Sequence, residues 1–189
     1  MIYSNPDIKS SYQMNDLGKT IYEFVLEKKP NRVIEFGCLH GYSTVCIAMA
    51  LKELGGGKLI CYDLWDDYTY NHTTMSETIE NVNKYGLNEY VDFIKKDYMD
   101  WLESPEDFDI MHLDISNTGD TILNTYQKLK PFIESGSSIL FEGGSVERDN
   151  IDWMIKYNAK TINSVKDQVG YKIINDKFPS ISVIQNEKI

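Results

Sequence analysis

The chain has 189 residues, 42% hydrophobic and 12% aromatic, enough apolar material for one sizeable core, so an intrinsically disordered chain is excluded. A formal charge of −10 sets it against nucleic-acid backbones and anionic membranes and leaves small neutral or cationic ligands as the better match. Three cysteines, Cys38, Cys46 and Cys61, lie in or beside apolar runs without a CxxC pair, which points to buried free thiols in a reducing compartment.

The opening MIYSNPDIKS carries neither a basic n-region nor an apolar h-region, and no apolar run reaches spanning length, so the sequence reads as cytoplasmic. Asn15 or Asp16 can cap a helix whose Leu17, Ile21, Phe24 and Val25 share one face, and Lys28-Lys29-Pro30 stops it. Residues 31–36 form an apolar, β-branched strand, Gly37 and Gly41 bracket a tight loop, and Ser43 and Thr44 open an apolar helix to Leu54. Gly55-Gly56-Gly57 ends that helix before a second strand from Lys58 to Tyr62, running into Asp63. Residues 64–75, with Trp65, two tyrosines and His72, show no period and read as a loop or lid over a site, or equally as a partly packed connector.

Thr74 or Ser76 caps the next helix, which runs to Tyr85, and a strand over 90–94 leads into Lys95-Lys96-Asp97. A short helix over 99–103 precedes a fourth strand, 108–113, that ends at Asp114. Ile122, Leu123, Tyr126 and Leu129 give a helix an apolar face, with Pro131 expected to stop it, and a fifth strand, 137–141, ends at Glu142-Gly143-Gly144. Asp149 or Asn150 can cap a helix to Tyr157, and 171–174 with 181–184 suit an antiparallel hairpin. Alternating strands and helices with this ending predict one three-layer α/β domain over 1–189, its sheet mainly parallel and seven-stranded.

Five predicted strands end in acids, Glu35, Asp63, Asp97, Asp114 and Glu142, which the topology sets along one sheet edge, where open α/β sheets bind ligands. That edge repels phosphate, and the loop after the first strand lacks the GxGxxG and GxxxxGK[ST] spacings that cradle it. A cationic or polyhydroxylated ligand is the better match.

VIEFGCLHGYST resembles motif I of the class I S-adenosylmethionine-dependent methyltransferases, in particular their catechol O-methyltransferase-like branch; CYDLW, KKDYMDW, FDIMHLDIS and LKPFIESGSSILFEGG resemble its later motifs, so the likeness covers about residue 15 to the C-terminus. The resemblance implies a Rossmann-like α/β/α sandwich and S-adenosyl-L-methionine as cofactor. It sets Glu35 and Ser43, beside Tyr42, toward the methionine portion, with Gly37 and Gly41 letting the backbone approach the ligand. Asp63, beside Leu64, is then the ribose acid, and Asp97, with Tyr98 or Trp65 flanking the ring, receives the adenine amine. Asp97 is equally natural as a helix N-cap.

Asp114 and Glu142 remain for the acceptor side. In the metal-dependent branch a divalent cation sits there, so Mg²⁺ or Ca²⁺ on Asp114 and Glu142 is one expectation, although Gly143 replaces a ligand of the family's pattern. His112 shares a strand face with Asp114 and could orient or deprotonate an acceptor hydroxyl, or be a buried structural histidine; His72, His40 and Asp114 itself are rival bases. Arg148, Trp153 and Tyr157 could form an acceptor wall, a subunit contact in a homodimer, or an ordinary loop and amphipathic helix. The expected activity is methyl transfer to a hydroxyl of a small polar acceptor, such as a sugar or natural product, with neither nucleic acid nor membrane as partner. The alternatives are a nicotinamide-dependent oxidoreductase, for which Asp63 would suit the ribose, and a silent nucleotide-binding module.

Overall fold

The computed structural model describes residues 3–70 and 73–186. Seven strands, β1 (Arg32–Phe36), β2 (Lys58–Asp63), β3 (Val91–Lys95), β4 (Ile110–Leu113), β5 (Ser138–Glu142), β6 (Lys172–Asn175) and β7 (Ile181–Ile184), make one sheet in the order β3-β2-β1-β4-β5-β7-β6. The first five run parallel, and β7 pairs antiparallel with both β5 and β6. The strand order reverses at β1, which lies between β2 and β4, so a crevice opens at the carboxyl ends of these three.

Period-two alternation along the strands divides the core between two sheet faces. Val33, Leu59, Ile110 and Leu140 face α1 (Leu17–Lys28) and α2 (Tyr42–Leu54). Ile34, Phe36, Met111, Leu113 and Ile139 face α4 (Tyr98–Glu103) and α5 (Gly119–Glu134). α1 buries the predicted stripe of Leu17, Ile21, Phe24 and Val25, and α2, buried along most of its length, is the apolar helix expected between β1 and β2.

Three local expectations change. Asp16 does not cap α1 with its side chain; its own φ is +51° and its carboxylate accepts instead from Tyr3, 2.5 Å away. Pro131 does not stop α5, which continues to Glu134; the carbonyl left without a helical N–H is that of Gln127, on the exposed side, where water can serve it. The helix expected to Tyr157 is the short α7 (Asp152–Lys156), starting after Ile151, and an unforeseen α6 (Val146–Asp149), capped by Ser145, precedes it. Asp149 caps neither: its carboxylate accepts from the backbone of Ile162 and Asn163 at 2.8 and 2.9 Å, tying α6 to the segment before α8 (Lys166–Val169). Thr74 makes the reciprocal capping box with Glu77 at the start of α3 (Met75–Lys84), and of the 64–75 loop Trp65 is buried, its indole N–H donating to Thr78 at 3.1 Å.

Candidate active site

A cavity of about 740 Å³ opens at the carboxyl ends of β1, β2 and β4, a volume suited to a cofactor-sized ligand. Its lining includes Gly37, Tyr42 and Ser43 from the loop after β1 and the start of α2, Asp63, Leu64, Asp97 and Tyr98 from beyond β2 and β3, and Asp114. Glu35, Gly41, His112 and Glu142 are not on the wall. Of the rival bases, His40 lines the cavity, and His72 lies outside the described residues.

The loop after β1 is held by Asp63. One carboxylate oxygen accepts from the backbone N–H groups of Cys38 and Leu39 at 2.8 and 3.1 Å, the other from Leu64 and Trp65 at 2.7 and 3.1 Å. A carboxylate offers about four lone-pair sites, so these bonds take up the acceptor capacity that the sequence reading assigned to ribose. Gly37 is required at φ +86° because a Cβ there would lie 1.8 Å from the Asp114 carbonyl oxygen. The glycine therefore serves the approach of β1 to β4. At Gly41 the nearest atom to an added Cβ is a Thr78 methyl, 3.2 Å away, again protein. α2 begins at Gly41 without a side-chain cap, so the first N–H groups of a 13-residue helix are left at the cavity where Tyr42 and Ser43 line it.

Asp97 caps α4 through Oδ1, which accepts from Met99 at 2.7 Å, and Oδ2 has no hydrogen-bond partner among the described residues. Tyr98 is anchored by its hydroxyl to Thr125 at 2.5 Å.

Glu35 is fully buried beneath the loop. It accepts from His112 Nδ1 at 3.0 Å and from Thr44 at 2.5 Å. Burial pushes its carboxyl up, and the hydrogen bond and charge of His112, with Ser43 and Thr44, more than reverse this, holding it below the ordinary carboxylate value. His112 is also fully buried, and its Nε2 has no partner among the described residues. Asp114, by contrast, lines the cavity; burial raises it to about 6, against the pull of His112, Tyr12 and Arg148. Tyr12, from the N-terminal segment, is buried, and its hydroxyl has no hydrogen-bond partner among the described residues. Burial and the charges of Asp114 and Glu142 keep that phenol protonated.

Glu142 is engaged by Arg148, whose Nε donates to one oxygen and Nη2 to the other, the latter at 2.8 Å. Both residues are buried. The donor pair expected to share a cation with Asp114 is thus already bonded to a guanidinium.

Sequence reasoning missed two parts of the wall. Lys9, Ser10 and Ser11 come from a polar, turn-like segment with no periodic signal. Asp120, Thr121 and Asn124 stand on the polar side of α5 at helical spacing, opposite the apolar stripe that identified the helix, and that spacing was available to be read.

A family model described as a methyltransferase domain matches residues 34–142, from within β1 to the end of β5, and the chain belongs to that family. Solved structures share the fold. An S-adenosylhomocysteine-bound methyltransferase of Podospora anserina superposes with a TM-score of 0.66 at 15% identity, over 94% of this chain and 79% of its own. The O-methyltransferase of Bacillus cereus, also with S-adenosylhomocysteine, gives 0.65 at 15% identity, over 96% and 84%. The Streptomyces achromogenes O-methyltransferase of tomaymycin synthesis, with S-adenosylmethionine, gives 0.63 at 14% identity, over 96% and 83%. No curated protein matches the chain.

Proposed function

We propose that the chain is an S-adenosylmethionine-dependent O-methyltransferase acting on a hydroxyl of a small polar acceptor, a sugar or natural product. The observation that carries this reading is the cavity: it joins an uncapped helix start, an apolar and aromatic middle and a free carboxylate oxygen at Asp97 in one 740 Å³ space with Asp114. The relatives solved with S-adenosylmethionine or S-adenosylhomocysteine support the same choice of cofactor.

The residues fit that cofactor by their chemistry. The unbonded N–H groups at the start of α2 suit the carboxylate of the methionine portion. Leu64, Tyr98 and Met99 offer apolar surface to a purine, and Oδ2 of Asp97 can accept its amine. Asp63 fixes the loop between β1 and α2 and the turn at Leu64, and adds negative charge beside a cationic ligand. Glu35 and His112 support the loop and Asp114 from beneath, as positioning residues.

When bound, the cofactor supplies a methyl group already activated by a sulfonium charge. The chain's part is to orient the acceptor oxygen in line and to remove its proton. Asp114 is the base in this reading, because it lines the cavity with a carboxyl raised to about 6, whereas His112 is closed off from it. Ser10, Ser11, Ser116, Asp120, Thr121 and Asn124 line the same cavity with hydroxyl, amide and carboxylate groups, which favours a polyhydroxylated acceptor over a flat apolar one.

The test is incubation with the labelled methyl donor and a panel of sugars, phenols and hydroxylated natural products. Base-stable label on a hydroxylated compound, lost in Asp114→Asn, is the expected result. Cofactor binding with no label on any member would favour the silent module.

A further inference from the structure

Next to Asp114 but off the cavity wall, the carboxyl end of β5 carries a buried ion pair. Asp114 follows β4, Glu142 ends the neighbouring β5, and Arg148 is paired with Glu142. Its fork closes on both Glu142 oxygens, Nη2 also approaches the Asn117 carbonyl at 3.5 Å, and the guanidinium stacks on Trp153 with its carbon 5.1 Å from the ring centroid. Its positive charge reaches Asp114 as well, pulling that carboxyl down against burial. At 3% exposure, Arg148 is a fixed interior cation.

These residues do not fit a divalent metal. Glu142 has no oxygen free of the guanidinium, and Gly143 adds no side-chain ligand. A second cation would meet Arg148 as a like charge in a poorly screened setting. Among the described residues, the side chains grouped closely enough to hold an ion are Glu35, Cys38 and Cys61. There Glu35 is already bonded to His112 and Thr44, and burial keeps both thiols protonated.

We infer that Arg148 is the resident cation of this site, holding with its guanidinium the charge position beside Asp114 and Glu142 that a divalent metal would otherwise take. Arg148 acts as a positioning residue: it fixes Glu142 and sets the field at Asp114. Methyl transfer at this site is therefore metal-independent. This last consequence rests on the function proposed above; the placement of the cation does not.

Arg148 also covers both carboxylate oxygens of Glu142. The Asn117 side-chain oxygen is buried without a partner among the described residues, near the Asn117 carbonyl that Arg148 approaches. Removing the guanidinium would free both Glu142 oxygens, hard donors that suit a divalent cation.

The experiment titrates the full chain with Mn²⁺, followed by electron paramagnetic resonance, in the presence of S-adenosylhomocysteine. Wild type is expected to show no saturable site, and Arg148→Ala to bind Mn²⁺ at least tenfold more tightly, a gain abolished by adding Glu142→Gln. A saturable wild-type site lost in Glu142→Gln overturns the inference, as does a folded Arg148→Ala that gains nothing. Should Arg148→Ala not fold, wild type against Glu142→Gln decides alone. Calorimetry of S-adenosylhomocysteine on the same samples separates the two claims: its failure sinks the proposed function and leaves the Mn²⁺ result standing.

Discussion

Asp63 commits both carboxylate oxygens to four backbone N–H groups, so its first task is to hold the loop after β1 in shape. Asp63→Ala is expected to cost about 2–4 kcal/mol in urea unfolding, the range for stranding several partly buried donors; a loss below about 0.5 kcal/mol would contradict that role. Asp114 carries the opposite signature. Its folded-state carboxyl is raised to about 6 from 3.8, so the folded chain binds the proton more tightly than the unfolded one. The ionised group therefore destabilises the fold above pH 6, and that penalty disappears as pH falls through 6 toward 3.8. Asp114→Asn should melt above wild type at pH 8, with the difference closing by pH 4, and a constant difference across that range would refute the assignment. The sequence made all five strand-end acids legible, because strand ends and acids are both local features. It did not reveal which of them face the cavity. Glu35 and Glu142 are turned to the interior by His112, 77 residues away, and by Arg148, whose pairing depends on how the segment after β5 folds back.

At the scale of elements, strands and long helices were legible from apolar period and glycine punctuation, and the misreadings cluster where a polar side chain had two possible partners. Asp149 is a good cap by type, yet tertiary donors at Ile162 and Asn163 outcompete a local one. Thr74 had no such rival and makes the capping box with Glu77. Thr74→Ala is expected to cost about 1 kcal/mol, read as a lower urea midpoint with unchanged slope. Gly37 holds the β1–β4 junction, since a side chain would run into the Asp114 carbonyl. Gly37→Ala should lose more than about 3 kcal/mol or fail to fold, and a variant as stable as wild type would show that the close approach is absent.

For the whole molecule, the alternation of strands and helices carried the fold, because parallel strands need covered faces and a crossover between each pair. The sheet order and the crevice at β1 follow from that pattern. The N-terminal segment was illegible: Lys9, Ser10 and Ser11 come from a polar turn, yet they line the cavity, and Tyr12 beside them is buried, a placement fixed only by tertiary packing. No helix among the described residues is long and apolar enough to cross a membrane.

The central claim is that this cavity takes S-adenosylmethionine. Calorimetric titration of wild type and Asp97→Ser with S-adenosylhomocysteine and with NAD tests it most directly, because serine keeps the α4 cap while removing the free carboxylate oxygen. The account predicts saturable one-site binding of S-adenosylhomocysteine, weakened about tenfold or more in Asp97→Ser at unchanged stability, and no NAD binding. Binding of NAD with no response to S-adenosylhomocysteine would contradict it.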